Sequence, residues 1–324
     1  MTGQQRHFLR SPTLHHDRSD DGELPVTKGV LTIAHTKPKY ATQAVTLARS
    51  IRLRDPHLPL AVATDLDPRL FRGLYDIVIP WDFSRCPGVL CKLDLYDITP
   101  FKTTLFIETD CLAVQSLQAV FEYFGDRSFA VFGRNDPTTH YIQSPDKVKA
   151  IVPAATYPVF NGGLYYFQQS AVAAAVYRDA KALLPLYDDL GLARVYHSPA
   201  CPKGVESDEP LFSLAMAKAG LMAVDDPRLD VMFAPEKPLF QITIDVLAGT
   251  CSFMRRGRLV RPVLPHFVGA RDAGYAYLRE ALRLELAAHG RFFLFWLDGL
   301  VRAYALVQSR WLSRMRRRRR LAHR

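Results

Sequence analysis

Residues 104–111 read TLFIETDC, an apolar run that ends in two acids, Glu108 and Asp110. A short apolar run of this kind is typical of a buried strand. In an extended chain, residues i and i+2 point to the same side, so both carboxylates can converge beyond the carboxyl end of the strand. Ligands of open α/β sheets bind at that edge, and two hard oxygen donors suit Mg²⁺ or Mn²⁺. The alternative is an acidic turn that only keeps a strand end soluble.

The segments around this run alternate between strand-like and helix-like patterns. Apolar runs rich in β-formers predict buried strands at 30–35, 60–64, 76–79 and 129–133. Helical spacing predicts helices at 40–55, which ends before Pro56, and at 90–96. The sequence therefore predicts an α/β fold with a mostly parallel central sheet flanked by helices.

Beyond residue 150 the pattern changes. Residues 157–167 (YPVFNGGLYYF) predict a strand, a glycine turn and a second strand. A helix is expected at 209–219, because Ser207, Asp208 and Glu209 are residues favoured at a helix N-terminus. The remaining predicted elements are a helix at 170–184, strands around 239–244 and 263–268, and a helical region from Tyr275 to the end.

Composition excludes some classes of protein. Of the 324 residues, 48% are hydrophobic and 23% are charged, which is not the pattern of a mostly disordered chain. The net charge of +10 is concentrated in residues 291–324, which hold ten arginines and one acid. Because the remainder is nearly neutral, a nucleic-acid partner is not favoured. The five cysteines show no paired zinc spacing, which favours a reducing compartment.

Several common motifs are missing. The chain has no phosphate-binding loop of the type G-x-x-x-x-G-K-[ST] and no dinucleotide fingerprint G-x-G-x-x-G. The motifs G-x-S-x-G and H-E-x-x-H are also absent. The acid pair at the end of the strand is therefore the strongest chemical signal in the sequence.

Four blocks in order carry a resemblance to a known family. They are Lys92–Tyr96 leading through Pro100-Phe101 to the acid pair, Phe160-Asn161-Gly162-Gly163-Leu164, Asp208-Glu209-Pro210-Leu211-Phe212, and Pro265-His266-Phe267-Val268-Gly269. This series resembles the GT-A fold glycosyltransferases, and most of all family eight of the retaining enzymes. The resemblance covers roughly residues 29–272.

Two positions differ from the family pattern. Glu108 stands where the family usually has Asp, so the first carboxylate reaches one methylene further. Asp272 stands where the family usually has Lys, and Arg271, one residue earlier, is the candidate replacement as a phosphate clamp.

The resemblance implies where the metal and the nucleotide bind. Glu108, Asp110 and His266 would bind Mn²⁺ or Mg²⁺, unless His266 is only a packed core histidine. The other residues that would bind the nucleotide sugar are His35, Thr36, Tyr40, Asp65, Lys92, Gly269 and Arg271. The alternatives are ordinary turn and cap chemistry for the residues after the first two strands, and a solvated helix lysine for Lys92.

The resemblance also implies a pocket for the reacting sugar. Asn161, Gly162 and Gly163 would shape it, and Asp208 and Glu209 would bind sugar hydroxyls, with Asp208 and Asn161 as the catalytic candidates. The alternatives are a simple hairpin turn for the glycines and stabilisation of a helix N-terminus for the acids.

The implied activity is transfer of a hexose from a nucleotide sugar, expected to be UDP-linked, to a hydroxyl of a glycan or lipid-linked acceptor. Two other functions stay open. A sugar-nucleotidyltransferase shares the general architecture, although its glycine-rich phosphate loop is missing here. A non-catalytic sugar- or membrane-binding protein could keep the fold without turnover.

Three segments are expected: a flexible leader at 1–28, a GT-A domain at 29–274 and a helical, Arg-rich tail at 275–324. Polar residues from 291 onward recur at helical spacing opposite a broad apolar face, and five arginines follow at 316–320. An apolar face with a polybasic run favours attachment to an anionic membrane surface. The expected location is the cytoplasmic side of a membrane; alternatively, the apolar face docks on the protein's own core.

Overall fold

The computed structural model describes residues 27–84, 88–195, 201–225, 242–268 and 274–290. Residues 1–26 of the predicted leader (1–28), the nucleotide-binding candidates Gly269 and Arg271, and the predicted membrane-binding segment 291–324 lie outside these residues, whereas Lys28 already belongs to the first strand.

The described chain forms seven α-helices, eleven strands and short 3-10 segments. The strands are β1 (Lys28–Ala34), β2 (Leu60–Thr64), β3 (Ile77–Pro80), β4 (Thr103–Ile107), β5 (Phe129–Ala130), β6 (Gly133–Asp136), β7 (Tyr157–Phe160), β8 (Leu164–Gln168), β9 (Thr243–Asp245), β10 (Thr250–Arg255) and β11 (Arg258–Val260). The helices are α1 (Pro38–Arg52), α2 (Leu95–Ile98), α3 (Gln118–Phe124), α4 (Pro145–Ile151), α5 (Ala171–Leu183), α6 (Asp208–Lys218) and α7 (Gly274–Ala288).

A six-stranded sheet in the order β3-β2-β1-β4-β8-β5 forms the centre. The first four strands are parallel, β8 runs antiparallel to β4, and β5 runs antiparallel to β8. In register, Leu31 of β1 lies beside Phe106 of β4 and Ala61 of β2. The prediction of an α/β fold with a mostly parallel sheet is confirmed.

Alternate residues of the central strands enter two different cores. Leu31 and Ile33 of β1 face the core that contains α5 and α6. Val30 and Ala34 face the opposite core, which contains α1 and α3. Both faces of β1 are thus buried, which explains why its sequence is a nearly continuous apolar run.

Local sequence accounts for the ends of the main helices. Pro38 occupies the first turn of α1, where its missing N–H has no intrahelical role. Ser170 Oγ accepts a hydrogen bond from Ala173 N at the start of α5. Ser207 Oγ accepts from Glu209 N at the start of α6, as its sequence predicted.

One local prediction was wrong. Residues 263–268 form no strand and contribute a single bridge, since the nearby Pro262 and Pro265 have no N–H to donate. The predicted strand, glycine turn and strand at 157–167 is confirmed, although the two strands join different sheets, because β7 pairs with β6 whereas β8 pairs with β4. The helical prediction for 90–96 is confirmed as a 3-10 helix spanning Gly88–Asp94 that leads into α2.

The helix α7 packs on the domain. It contacts α1 and β9, and Arg49 pairs with Glu285 and Asp245 with Arg283. Within the described part of the chain, no helix combines the length and apolarity needed to cross a membrane.

Candidate active site

The acid pair follows β4 directly, at the carboxyl edge of the parallel strands. Glu108 N donates to Gly163 O over 2.9 Å, which ties the strand end to the turn between β7 and β8. Phe267 N donates to Asp110 O over 2.9 Å, which brings His266 to the same place. Residues distant in sequence therefore meet at the edge that the sequence indicated.

Lys92 occupies the centre of a buried charged group, here called the lysine cluster (Lys92, Glu108, Asp208 and Glu209). Its Nζ lies 2.8 Å from Glu108 Oε1, 3.0 Å from Asp208 Oδ2 and 2.9 Å from Gly162 O. These three acceptors match the three protons of an ammonium group. The side chain is only 5% exposed, so Lys92 is not a solvated helix lysine.

Opposite charges decide the protonation of this cluster. Burial lowers the pKa of Lys92, but the charges of Asp208 and Glu108 outweigh it and hold that pKa well above its usual value. Burial also raises the pKa of Glu108, yet Lys92 and His266 together outweigh burial and lower that pKa to about 2. A lysine–glutamate ion pair therefore persists through the physiological pH range.

Two further groups complete the lysine cluster. Tyr165 Oη donates to Asp208 Oδ2 over 2.5 Å. Glu209 Oε1 accepts from Gly162 N over 2.7 Å. Burial raises the pKa of Glu209, the charge of Asp208 adds to this effect, and the pKa reaches about 7. Glu209 therefore changes its charge near neutral pH, whereas Glu108 does not.

His266 lies between the two acids of the pair. Its Nε2 is 2.9 Å from Glu108 Oε2 and 3.1 Å from Asp110 Oδ1. Even so, no described residue completes a hydrogen bond with Nε2. Burial lowers the pKa of His266, but Asp110 and Glu108 outweigh it and raise that pKa to about 10.

Asn161 fixes the orientation of the imidazole ring. Its Oδ1 accepts from Gly163 N over 3.0 Å and lies 2.8 Å from His266 Nδ1. Because this oxygen can only accept, Nδ1 carries the proton and donates. Once the ring is neutral, Nε2 therefore presents its lone pair to the two acids, which is the orientation that metal-binding histidines adopt.

The described residues around Nε2 fit a divalent cation. Donor atoms of Asp110, Cys111 and His266, here called the metal group, all lie within 4.8 Å of one another. A buried ring nitrogen without a hydrogen bond, flanked by carboxylates, is what a cation would complete. Cys111 was not among the predicted ligands, because its proximity to His266 depends on a contact between distant segments.

The glycine pair between β7 and β8 separates the metal group from the lysine cluster. A Cβ on Gly163 would lie 2.7 Å from the His266 ring. A Cβ on Gly162 would lie 2.9 Å from Asp208 Oδ2 and 3.1 Å from Lys92 Nζ. Close packing on both sides therefore leaves room only for glycine at these two positions. The turn is not a hairpin, because β7 and β8 do not pair with each other.

The predicted nucleotide-binding residues His35, Thr36, Tyr40 and Asp65 also come together. With Phe83 they form the β1–β2 cluster. Thr36 adopts a left-handed φ of 66°, and its N donates to Asp65 Oδ1 over 2.7 Å. His35 stacks near Tyr40 and Phe83, with ring centroids 6.1 and 4.8 Å away. Phe83 was missed, since an isolated aromatic residue in a loop carries no pattern.

The β1–β2 cluster and the acid pair lie at the same edge of the sheet. β1 sits between β2 and β4 with a parallel register on both sides. Neighbouring strands are about 4.8 Å apart, so a ligand stacked on His35 or Tyr40 can extend over the end of β4. An unusual backbone conformation, as at Thr36, is frequent at such sites.

Comparison with solved structures decides the fold family. The galactosyltransferase LgtC, in complex with donor and acceptor sugar analogs, matches with 14% identity and a TM-score of 0.50 over 79% of this chain and 95% of that chain. An LgtC variant with an active-site glutamine changed to glutamate matches with 13% identity and a TM-score of 0.50, over 80% of this chain and 95% of that one. The chain has the GT-A fold.

Other comparisons add little to this GT-A assignment. Mouse xyloside xylosyltransferase 1 matches with 15% identity and a TM-score of 0.45, over 76% of this chain and 99% of that chain. No model of a protein family matches the sequence, and no curated protein matches it. The predicted resemblance to GT-A glycosyltransferases is confirmed for the fold, while the roles of the individual site residues stay predictions.

Proposed function

We propose that this GT-A protein is a glycosyltransferase that transfers a hexose from a UDP-sugar to an acceptor hydroxyl, with retention at the anomeric carbon. The observation that carries the proposal is the convergence of the acid pair, His266, buried Lys92 and Asp208 on one sheet edge. The β1–β2 cluster adjoins this edge and offers stacking surfaces for a base. LgtC, of the same fold, is described with donor and acceptor sugar analogs bound.

The proposal assigns different tasks to the two clusters. In the β1–β2 cluster, the rings of His35 and Tyr40 bind the base, and Asp65 holds the Thr36 backbone in position for the ribose. In the lysine cluster, Asp208 and Glu209 bind hydroxyls of the donor or acceptor sugar. Lys92 holds Asp208 in place, and Asn161 fixes the His266 ring.

Asp110 and His266, with Glu108 beside them, would hold a divalent cation, Mn²⁺ or Mg²⁺. This cation would neutralise the charge that develops on the departing diphosphate. In this proposal the chain's own residues exclude water and fix the ligands. The carboxylate of Glu108 is oriented by Lys92 on one oxygen and faces His266 with the other.

We extend the proposal to the acceptor and the location. An acceptor glycan or lipid-linked glycan at the cytoplasmic face of a membrane would suit a transferase whose residues 291–324 bind anionic lipid. Support comes from the sequence alone, namely the ten arginines and the apolar positions of that segment.

The proposal is tested by incubating the full chain with a panel of nucleotide sugars, with and without Mn²⁺, and measuring the released nucleotide. We expect metal-dependent hydrolysis of one UDP-sugar and a loss of about 100-fold or more in Asp110→Asn, as for removal of one charge-stabilising group. Asp67→Asn, an exposed acid paired with Arg69, is the control and should retain activity. Release of no nucleotide from any donor, together with metal-independent UDP binding, would instead indicate a non-catalytic binding protein.

A further inference from the structure

Cys111 is a fully buried thiol next to His266 in space. The two residues form an isolated antiparallel bridge. Its flanking hydrogen bonds run from Phe267 N to Asp110 O over 2.9 Å and from Leu112 N to Pro265 O over 3.2 Å. These bonds make Cys111 and His266 a non-hydrogen-bonded pair, in which the side chains lie on the same side and approach most closely.

The imidazole lies close to this thiol and to the neighbouring Asp110. The Cys111 thiol, an Asp110 carboxylate oxygen and a His266 ring nitrogen lie within 4.8 Å of one another. The His266 side chain is 4% exposed, and its Nε2 completes no hydrogen bond with a described residue. Asn161 engages Nδ1, so Nε2 is the nitrogen available to a ligand.

One of the two carboxylate oxygens of Glu108 is engaged elsewhere. Its Oε1 lies 2.8 Å from Lys92 Nζ, and Lys92 is itself held by Asp208 and Gly162. Drawing Glu108 fully onto a cation would therefore leave a buried ammonium group short of one partner, which is costly. Glu108 is not a member of the metal group.

We propose that Asp110, Cys111 and His266 are the protein ligands of the cation, and that Cys111 binds as a thiolate where the family resemblance places Glu108. When the cation binds, the thiol proton and the Nε2 proton pass to solvent, and no electron is transferred. Burial holds the pKa of the Cys111 thiol well above its usual value, but a coordinated thiol is deprotonated by the cation itself. A thiolate ligand favours Zn²⁺ or Co²⁺ over Mg²⁺ or Mn²⁺, so on this inference the proposed transferase would use one of the former in place of the latter. The inference rests on the proposed function only for the use of the cation, not for its binding.

The test is a titration of the full metal-free chain with Co²⁺, followed by absorption spectroscopy. We expect an intense near-ultraviolet band from sulfur-to-cobalt charge transfer and displacement of Co²⁺ by Zn²⁺. Cys111→Ser and Cys111→Ala should lose this band and weaken Co²⁺ binding by about tenfold or more. Cys251→Ser removes another buried free thiol and should leave the band unchanged.

Circular dichroism of each variant shows whether it is folded. If Cys111→Ala does not fold, Cys111→Ser serves as the test, because its side-chain volume is closer to that of cysteine. A wild-type cobalt complex without the charge-transfer band would overturn the inference, as would a folded Cys111→Ser protein that keeps the band. Failure of the glycosyltransferase proposal would appear only in the nucleotide-release assay, so the two failures are distinguishable.

Discussion

The β1–β2 cluster and the lysine cluster lie at one sheet edge but are built in opposite ways. Thr36 and Asp65 are exposed, and the first cluster depends on one backbone hydrogen bond and stacked rings. In the lysine cluster, the side chains of Lys92 and Asp208 are 5% and 2% exposed, and three acceptors surround the ammonium group. The exposed cluster can adapt to a ligand, whereas the buried one is preorganised, as charge stabilisation requires.

The largest expected effect comes from removing the buried cation. Lys92→Met should lower the free energy of unfolding by about 3–5 kcal/mol, because it leaves Glu108 and Asp208 buried without their partner. Lys181→Met is the matched control, since Lys181 is 38% exposed and pairs with Asp94 and Asp97. It should change stability by less than about 1 kcal/mol in urea unfolding. Equal effects of the two substitutions would refute the buried ion-pair interpretation.

A second effect distinguishes Glu209 from Glu108 by pH. The pKa of Glu209 is raised to about 7 in the folded chain from 4.5, so its stabilising contribution is complete below pH 4.5 and is lost as the pH rises through 7. Between pH 5 and 8 the wild type should lose up to about 3 kcal/mol of unfolding free energy through this group. Glu209→Gln should remove that slope in urea unfolding at the two pH values. A slope that is unchanged in the variant would assign the pH dependence to another group.

Gly163→Ala tests the separation of the two charged groups. The added methyl would lie 2.7 Å from the His266 ring, so we expect a loss of about 1–3 kcal/mol in stability and weaker Mn²⁺ or Co²⁺ binding. Gly220→Ala is the control, because a Cβ there meets no atom and only the positive φ of 70° is strained. Calorimetric metal titration of both variants should show a defect in Gly163→Ala alone.

The smallest stability effect is expected in the exposed cluster. Asp65→Ala removes the acceptor of the Thr36 N–H, and because this group reaches solvent, the loss should be about 1 kcal/mol or less. UDP binding should nevertheless weaken several-fold in calorimetry, since the strained Thr36 backbone loses its support. Asp67→Ala, which removes a nearby exposed acid, should bind UDP like the wild type.

The sequence predicted those features that depend on local pattern. The central strands were found within one or two residues, since each is an apolar run buried on both faces. The family resemblance, which depends on the order of four blocks along the chain, identified the site candidates: the acid pair, Asn161, Asp208 and His266. The start of α6 followed from Ser207, a residue favoured at a helix N-terminus.

Other features depend on contacts that no local pattern records. The burial of Lys92 arises because segments near residues 108, 162 and 208 enclose it. The pairing of Cys111 with His266 depends on a segment that forms one bridge and no strand. The hairpin of β10 and β11 was missed because its residues alternate weakly between apolar and polar.

The hydrogen bond between Asn161 and His266 joins residues that are 105 positions apart in the sequence. This sequence separation has a consequence for the order in which the protein folds. The strands up to β8 can assemble while the chain is still being synthesised, but the imidazole joins them only after residue 266 has emerged. Long-range contacts of this kind form late and slowly. A nascent chain would therefore hold a folded sheet with an incomplete metal group, and the proposed site would be completed only late in its biogenesis.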